Sequence, residues 1–307
     1  MEMIAQALVP VFVLILIGYL FRRLQFPGDS FWLQAERFSY YVLFPAMLIF
    51  KLGQARVPVS AYSDVFLLVL AMLGVMTVAL LIAQWFFRWP GAVFSSVYQG
   101  GIRFNSFVAI ATAGMLLGDD GLSTMAIIIA VKIPLINLLC ILMFSLAVGQ
   151  DGANSMRWRP VAYAIITNPL IIGSVVGALW GYFRIGFHPL LAGVLSPLSD
   201  LALPLGLMTV GAGLQLKALR GTSLPFLVAS SLKLAGFPLM TAGLVLAMGL
   251  DGTIAQASIL LATLPTATSS YILARQLGGD APLMAGIVSG QTLFAIISIP
   301  LFLALLW

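Results

Sequence analysis

The 307-residue chain is 61% apolar and only 8% charged, with a formal net charge of +5 and a mean hydropathy of +1.09. So apolar a composition excludes a soluble globular domain and identifies an all-α polytopic membrane protein. The positive charge lies mostly in short loops beside apolar runs, where it anchors them at the membrane surface, and does not point to nucleic acid.

A membrane span needs roughly 20 apolar residues plus a turn, about 30 in all, so this length accommodates about ten helices and almost no soluble domain. The spans are predicted at 3–21, 31–51, 62–87, 94–117, 121–148, 160–183, 190–216, 222–248, 253–276 and 280–306. No Lys or Arg precedes the first run and Arg22-Arg23 follow it, the reverse of a secretory signal, so this helix is expected to stay with its N-terminus outside. The fourth run is interrupted by Gln99-Gly-Gly-Ile-Arg-Phe-Asn-Ser106, and the fifth carries Lys132 at its middle and the single Cys140 in an apolar stretch. Residues 149–159 (GQDGANSMRWR) read as a cytoplasmic linker. The single His188, next to Pro189, reads as an ordinary loop residue. Asp200 stands four residues before Pro204 in the seventh run, and Lys233 lies mid-way along the eighth, where packing or snorkelling is expected. The ninth run is broken by Leu264-Pro-Thr-Ala-Thr-Ser-Ser270, and the tenth contains Gln291.

Loops after odd-numbered spans hold Arg22, Arg23, Arg88, Arg157, Arg159, Lys217, Arg220 and Arg275, whereas the opposite loops hold Lys51, Arg56 and Arg184 beside Asp119, Asp120 and Asp251. The positive-inside rule therefore predicts that both termini lie outside the cytoplasm. Pro10 and Pro169, Gly18 and Gly177, Pro45 and Pro204, and Lys132 and Gln291 are all separated by 159 positions. One lag shared by several helix pairs predicts two five-helix repeats, 1–148 and 160–307, the second inserted upside down.

In hydrocarbon a backbone group without its helical partner costs several kcal/mol, so broken helices at membrane depth are expected to line a site. The half-helix starting at Ser106, with Asn105 or Ser106 as cap, and the half-helix beyond Pro265, with the hydroxyls of Thr266, Thr268 and Ser269, each turn a positive dipole end inward. Two such ends form an anion site, with Gln99 beside it. Arg103 is expensive at that depth and is expected to meet an anionic ligand, or else the carbonyls freed by the break. Lys132 and Gln291 are read as braces of the crossing region or as parts of charge coupling. Asp200 is read as a proton or cation site, or as a partner for Arg103, Lys132 or a backbone donor. One Cys and one His offer no metal-ligand set, and no cofactor is called for.

The two broken helices, the five-plus-five layout, the Gly-rich Asn105 motif, Leu264-Pro265-Thr266 and Ser199-Asp200 together resemble the auxin efflux carrier family. That family includes the plant PIN carriers and bacterial malonate or malate transporters, and the resemblance covers essentially the whole chain. By resemblance, Asn105 matches the substrate-facing Asn and Pro265 the crossing Pro. The implied fold is the crossover fold shared with sodium/proton antiporters and bile-acid symporters, as a homodimer. Phe104 stands where PIN carriers have Pro, Thr266 where they have Gln, Arg103 is added, Lys132 replaces a neutral Gln, and the long cytoplasmic loop is missing. These departures favour a small, compact carboxylate over auxin, in a bacterial inner membrane.

The expected function is secondary transport of small organic anions by alternating access, with the crossover bundle moving against spans one, two, six and seven. The alternative is a symporter or antiporter coupled to H+ or Na+ at Asp200. A receptor would need a soluble output segment, and an intramembrane enzyme lacks its motifs: there is no HExxH and no GxSxG.

Overall fold

A computed structural model describes residues 2–54, 60–148, 163, 166–221 and 223–306. The expected linker at 149–159 lies outside the described residues. Every regular element among the described residues is helical: α1 (Glu2–Arg23), α2 (Asp29–Phe38), α3 (Phe44–Gln54), α4 (Ser60–Phe87), α5 (Gly91–Ile102), α6 (Ser106–Val148), α7 (Pro169–Tyr182), α8 (Pro189–Ala212), α9 (Leu224–Ser231), α10 (Phe237–Ala247), α11 (Gly252–Thr263), α12 (Ser269–Leu277) and α13 (Ala281–Leu306). A 3-10 turn, Leu216–Gly221, precedes α9. Within α6 the chain breaks at Gly118, whose φ of 66° ends one helix and starts the next.

Six stretches among the described residues are apolar and long enough to cross a bilayer: Gln6–Arg23, Ser63–Phe87, Gly91–Val148, Pro189–Ala212, Leu224–Ala247 and Ala281–Leu306. Large apolar side chains such as Leu16 and Leu20 of α1, Val78, Ile82 and Trp85 of α4, and Ile297 and Leu301 of α13 are exposed, as a lipid-facing surface requires. The molecule is thus a multi-pass membrane protein. Other predicted spans are interrupted rather than continuous. The second is divided between α2 and α3, and the ninth between α11 and α12.

Two interruptions are π turns, Ser39–Leu43 and Leu232–Gly236, and each is followed by a Phe-Pro pair, Phe44-Pro45 and Phe237-Pro238. Proline has no N–H for the carbonyl four residues back and its ring crowds that carbonyl. Widening the turn lets the preceding Phe donate five residues back, Phe44 N–H to the Ser39 carbonyl and Phe237 N–H to the Leu232 carbonyl. Helix starts are conventional by comparison. Asn168 accepts from the Leu170 amide at 3.0 Å with Pro169 in the first turn, and His188, at the end of its loop, accepts from the Leu190 amide through Nδ1.

The chain forms two compact units. One comprises Met1–Phe66, Ser106–Ile133 and Ala162–Gly213; the other comprises Leu67–Asn105, Pro134–Val161 and Leu214–Trp307. In the first, α1 packs on α8 and α3 on α7. Small residues allow backbones to meet: a Cβ added at Gly18 would lie 1.9 Å from the Met208 carbonyl oxygen, and one at Gly211 1.7 Å from that of Ile15. Arg22 donates to the Ala212 carbonyl at 2.9 Å, closing the end of α8 with a cation. Gly18→Leu is therefore expected to destabilise the protein by about 1–3 kcal/mol. An unchanged unfolding midpoint in detergent would show that these two helices do not meet so closely.

Candidate functional site

The second compact unit holds both polar interruptions. Helix α5 stops at Ile102 because Arg103 is extended (φ −74°, ψ 161°), and α11 stops at Thr263 because Leu264 is extended (φ −75°, ψ 146°). The two short extended segments, 103–105 and 264–267, are joined by one backbone bond, from the Asn105 amide to the Pro265 carbonyl at 2.8 Å. In a dry interior such cross-pairing is what allows the helices to break.

Gln291, on α13, satisfies the groups that remain. Its Oε1 accepts from the Thr266 amide at 3.0 Å, and its Nε2 donates to the Gly100 carbonyl at 3.0 Å and to the Ala229 carbonyl at 3.5 Å. The side chain is fully buried. One amide thus pairs a donor stranded beyond Pro265 with an acceptor stranded at the end of α5. The glycine at position 100 matters for the same contact, since a Cβ there would lie 2.7 Å from Ile287 Cγ2 on α13.

Arg103 is half-buried at the break. Its Nη2 donates to Asn137 Oδ1 on α6, and its Nη1 to Ser269 Oγ at 3.4 Å. Both acceptors are neutral. The ion pairs found among the described residues, Arg22–Asp29 and Lys51–Asp119, lie elsewhere, so no protein carboxylate there balances this guanidinium. Its Nε is buried without a hydrogen-bond partner, and so are both polar atoms of Gln99, one helical turn earlier on α5 and fully buried. Buried polar groups are nearly always paired, and orphans concentrated at one place mark a binding site or bound water. Two of these three atoms, Arg103 Nε and Gln99 Nε2, are N–H donors suited to a carboxylate, and the third, Gln99 Oε1, is an acceptor.

The other predicted residues are distributed as follows. Asn105 and Thr266 are buried and Thr268 is half-buried. Ser269 is exposed. Thr266 Oγ1 shares a 3.3 Å hydrogen bond with Ser270 Oγ, so its hydroxyl is already engaged. Thr268 occupies the cap position of α12 but makes no side-chain cap bond. Ser106, Lys132 and Asp200 belong to the first compact unit. There Ser106 is the half-buried first residue of α6, Lys132 is fully buried, and Asp200 is exposed on α8 between Pro197 and Pro204. Asn137, which accepts from Arg103, is a residue that the sequence reading passed over. A polar side chain in the apolar run after Lys132 is the signal that would have found it.

A family model described as "Membrane transport protein" matches residues 158–303. Over 302 residues the chain is 26% identical to a protein of Methanothermobacter thermautotrophicus named "Uncharacterized transporter", covering 97% of this chain and 96% of that one. Over 288 residues it is 28% identical to a protein of Rhizobium meliloti named "Putative malonate transporter", covering 91% of this chain and 88% of the relative.

Proposed function

We propose that the chain, which is similar to the membrane transport protein family and to two transporters, is a member of the auxin efflux carrier family and a secondary active transporter moving small organic carboxylates by alternating access. The observation that carries this reading is the Arg103 guanidinium. It sits at a helix break with only neutral acceptors on its Nη atoms, and its own Nε and the Gln99 amide have no hydrogen-bond partner. A carboxylate entering there would supply the missing charge and the missing acceptors together. Asn105, Pro265, Thr266, Thr268 and Ser269, all of the second unit, complete the proposed site, and the name of the Rhizobium meliloti relative makes malonate the first ligand to try.

We read the architecture as ten spans in two inverted repeats, 1–148 and 160–307, with spans four and nine crossing at their breaks. The shared 159-residue lag and the Asn105–Pro265 backbone bond support this. The charge asymmetry of the loops supports periplasmic termini in a bacterial inner membrane, and the family resemblance supports a homodimer. In a Cys140→Ser background, Ser155→Cys is expected to react with thiol reagents only from the cytoplasmic side. Periplasmic labelling would invert the topology.

The test of the function is a thermal-shift screen of purified protein against mono- and dicarboxylates and their uncharged amides. Stabilisation by carboxylates but not by amides, followed by uptake of the stabilising acid into proteoliposomes, is the expected result. Equal stabilisation by both would remove the role given to Arg103.

One observation favours a second reading, coupling to a cation. Asp200 is a carboxylate in the middle of an apolar helix with no ion-pair partner among the described residues. Pro204 also deprives its carbonyl of the usual helical donor, and a carboxylate beside a carbonyl is a pair of oxygen ligands of the kind that a sodium ion prefers. Asp200→Asn is then expected to abolish stimulation of uptake by an imposed sodium gradient while leaving ligand-induced stabilisation intact. Retained stimulation would make Asp200 a structural residue.

A further inference from the structure

Lys233 does not snorkel. It lies in the π turn Leu232–Gly236, is fully buried, and its Nζ has no hydrogen-bond partner among the described residues. The Nζ stands 4.5 Å from the centroid of the Phe237 ring, which faces a cation but cannot neutralise it. The turn packs against α5, α9, α10, α11 and α13. Of these, α9, α10, α11 and α13 contain no titratable side chain, and α5 contains only Tyr98, whose hydroxyl is bonded to Thr77 at 2.9 Å. The nearest charges in sequence are Arg103, just after α5, and Asp251 and Asp280, which precede the first residues of α11 and α13; neither acid forms an ion pair with Lys233. A lone ammonium in such surroundings is costly, and no carboxylate of the packed helices offsets it.

The turn is also wired to the helix breaks. Ala229, one turn before Lys233, faces Gly100 of α5 across 3.6 Å, counted from a Cβ placed at the glycine. Gln291 bonds to the carbonyls of both. Three residues past Gly100 stands Arg103. One compact unit therefore carries two basic side chains, the half-buried Arg103 and the fully buried Lys233, and neither forms an ion pair among the described residues.

We propose that Lys233 is the proton-carrying group that couples carboxylate movement to proton movement. Resting on the carboxylate reading above, the step is an addition: the lone pair of the Lys233 amine takes one proton from water as the anion enters the site, giving an ammonium matched by the anion's charge. The proton returns to water on the other side as the anion leaves. The π turn suits this role, since such turns mark places where a helix has exchanged regular pairing for local adjustability.

The test is calorimetric titration of malonate into purified protein at one neutral pH, in buffers of different ionisation enthalpy, which yields the number of protons taken up. Wild type is expected to take up about one proton per malonate. Lys233→Met is expected to bind malonate with proton uptake near zero. Lys233→Arg, permanently charged, is expected to do the same and serves where the Met variant does not fold. Together the variants separate Lys233 from protonation of malonate itself. Undiminished proton uptake in either folded variant, or malonate binding by wild type without proton uptake, overturns the assignment and leaves the carboxylate reading standing. Absence of any malonate heat in wild type counts against the carboxylate reading, and with it this one.

Discussion

Arg103→Gln is expected to weaken binding of a small carboxylate by about 2–5 kcal/mol, about 30- to 5,000-fold, because truncating one partner of a buried charge pair leaves the other uncompensated. The effect should be confined to charged ligands. Malonamide, which keeps the shape of malonate without its charge, should bind both proteins with similar weak affinity. Asn105→Ala removes a neutral donor from the same junction and is expected to cost about 1–3 kcal/mol, roughly 5- to 150-fold. The ordering is informative, since a site built mainly from helix dipoles would make the two variants alike. Affinities must come from folded, monodisperse protein, so that lost stability is not read as lost binding. Wild-type affinity in both variants would move the site elsewhere and reduce the two interruptions to packing kinks.

Gln291→Leu is expected to be the most damaging single change to the fold of the second unit. The substitution is nearly isosteric, so it tests hydrogen bonding rather than volume. It strands the Thr266 amide and the Gly100 carbonyl, and removes the longer bond to Ala229. Each buried group left unpaired costs about 1–3 kcal/mol, so a total of several kcal/mol is expected, a large share of the stability of most proteins. The measurement is the unfolding midpoint in detergent, together with the yield of monodisperse protein. Gln291→Glu separates the roles, because the carboxylate keeps the acceptor for Thr266 and loses the donors. If Gln291→Leu melts with the wild type, water has replaced the amide and the junction is wet.

The two breaks were legible in the sequence because each combines a helix breaker with clustered polar side chains in an apolar run. Pro265 falls in the extended segment 264–267, and Gly100-Gly101 directly precede the end of α5. Span limits were less legible: α5 starts at Gly91, earlier than the predicted 94, because Pro90 stands at its cap position. The π turns were not foreseen. The Phe-Pro pairs that cause them are visible, but whether a helix answers a proline by kinking or by widening depends on what packs around it. The partners of Gln291 lie 25, 191 and 62 positions away, and no local pattern encodes them. Lys233 illustrates the same limit. Snorkelling and burial look alike in sequence, and the five elements packed around the turn decide between them.

The most direct measurement is an experimental structure with a carboxylate that can be located without ambiguity, such as bromomalonate read by its anomalous signal. The ligand is expected between segments 103–105 and 264–269, with a carboxylate oxygen within hydrogen-bond distance of Arg103 Nε and the Gln99 amide. A well-occupied bromine signal elsewhere, with the Arg103 Nε and Gln99 side chain still unpaired, would contradict the account.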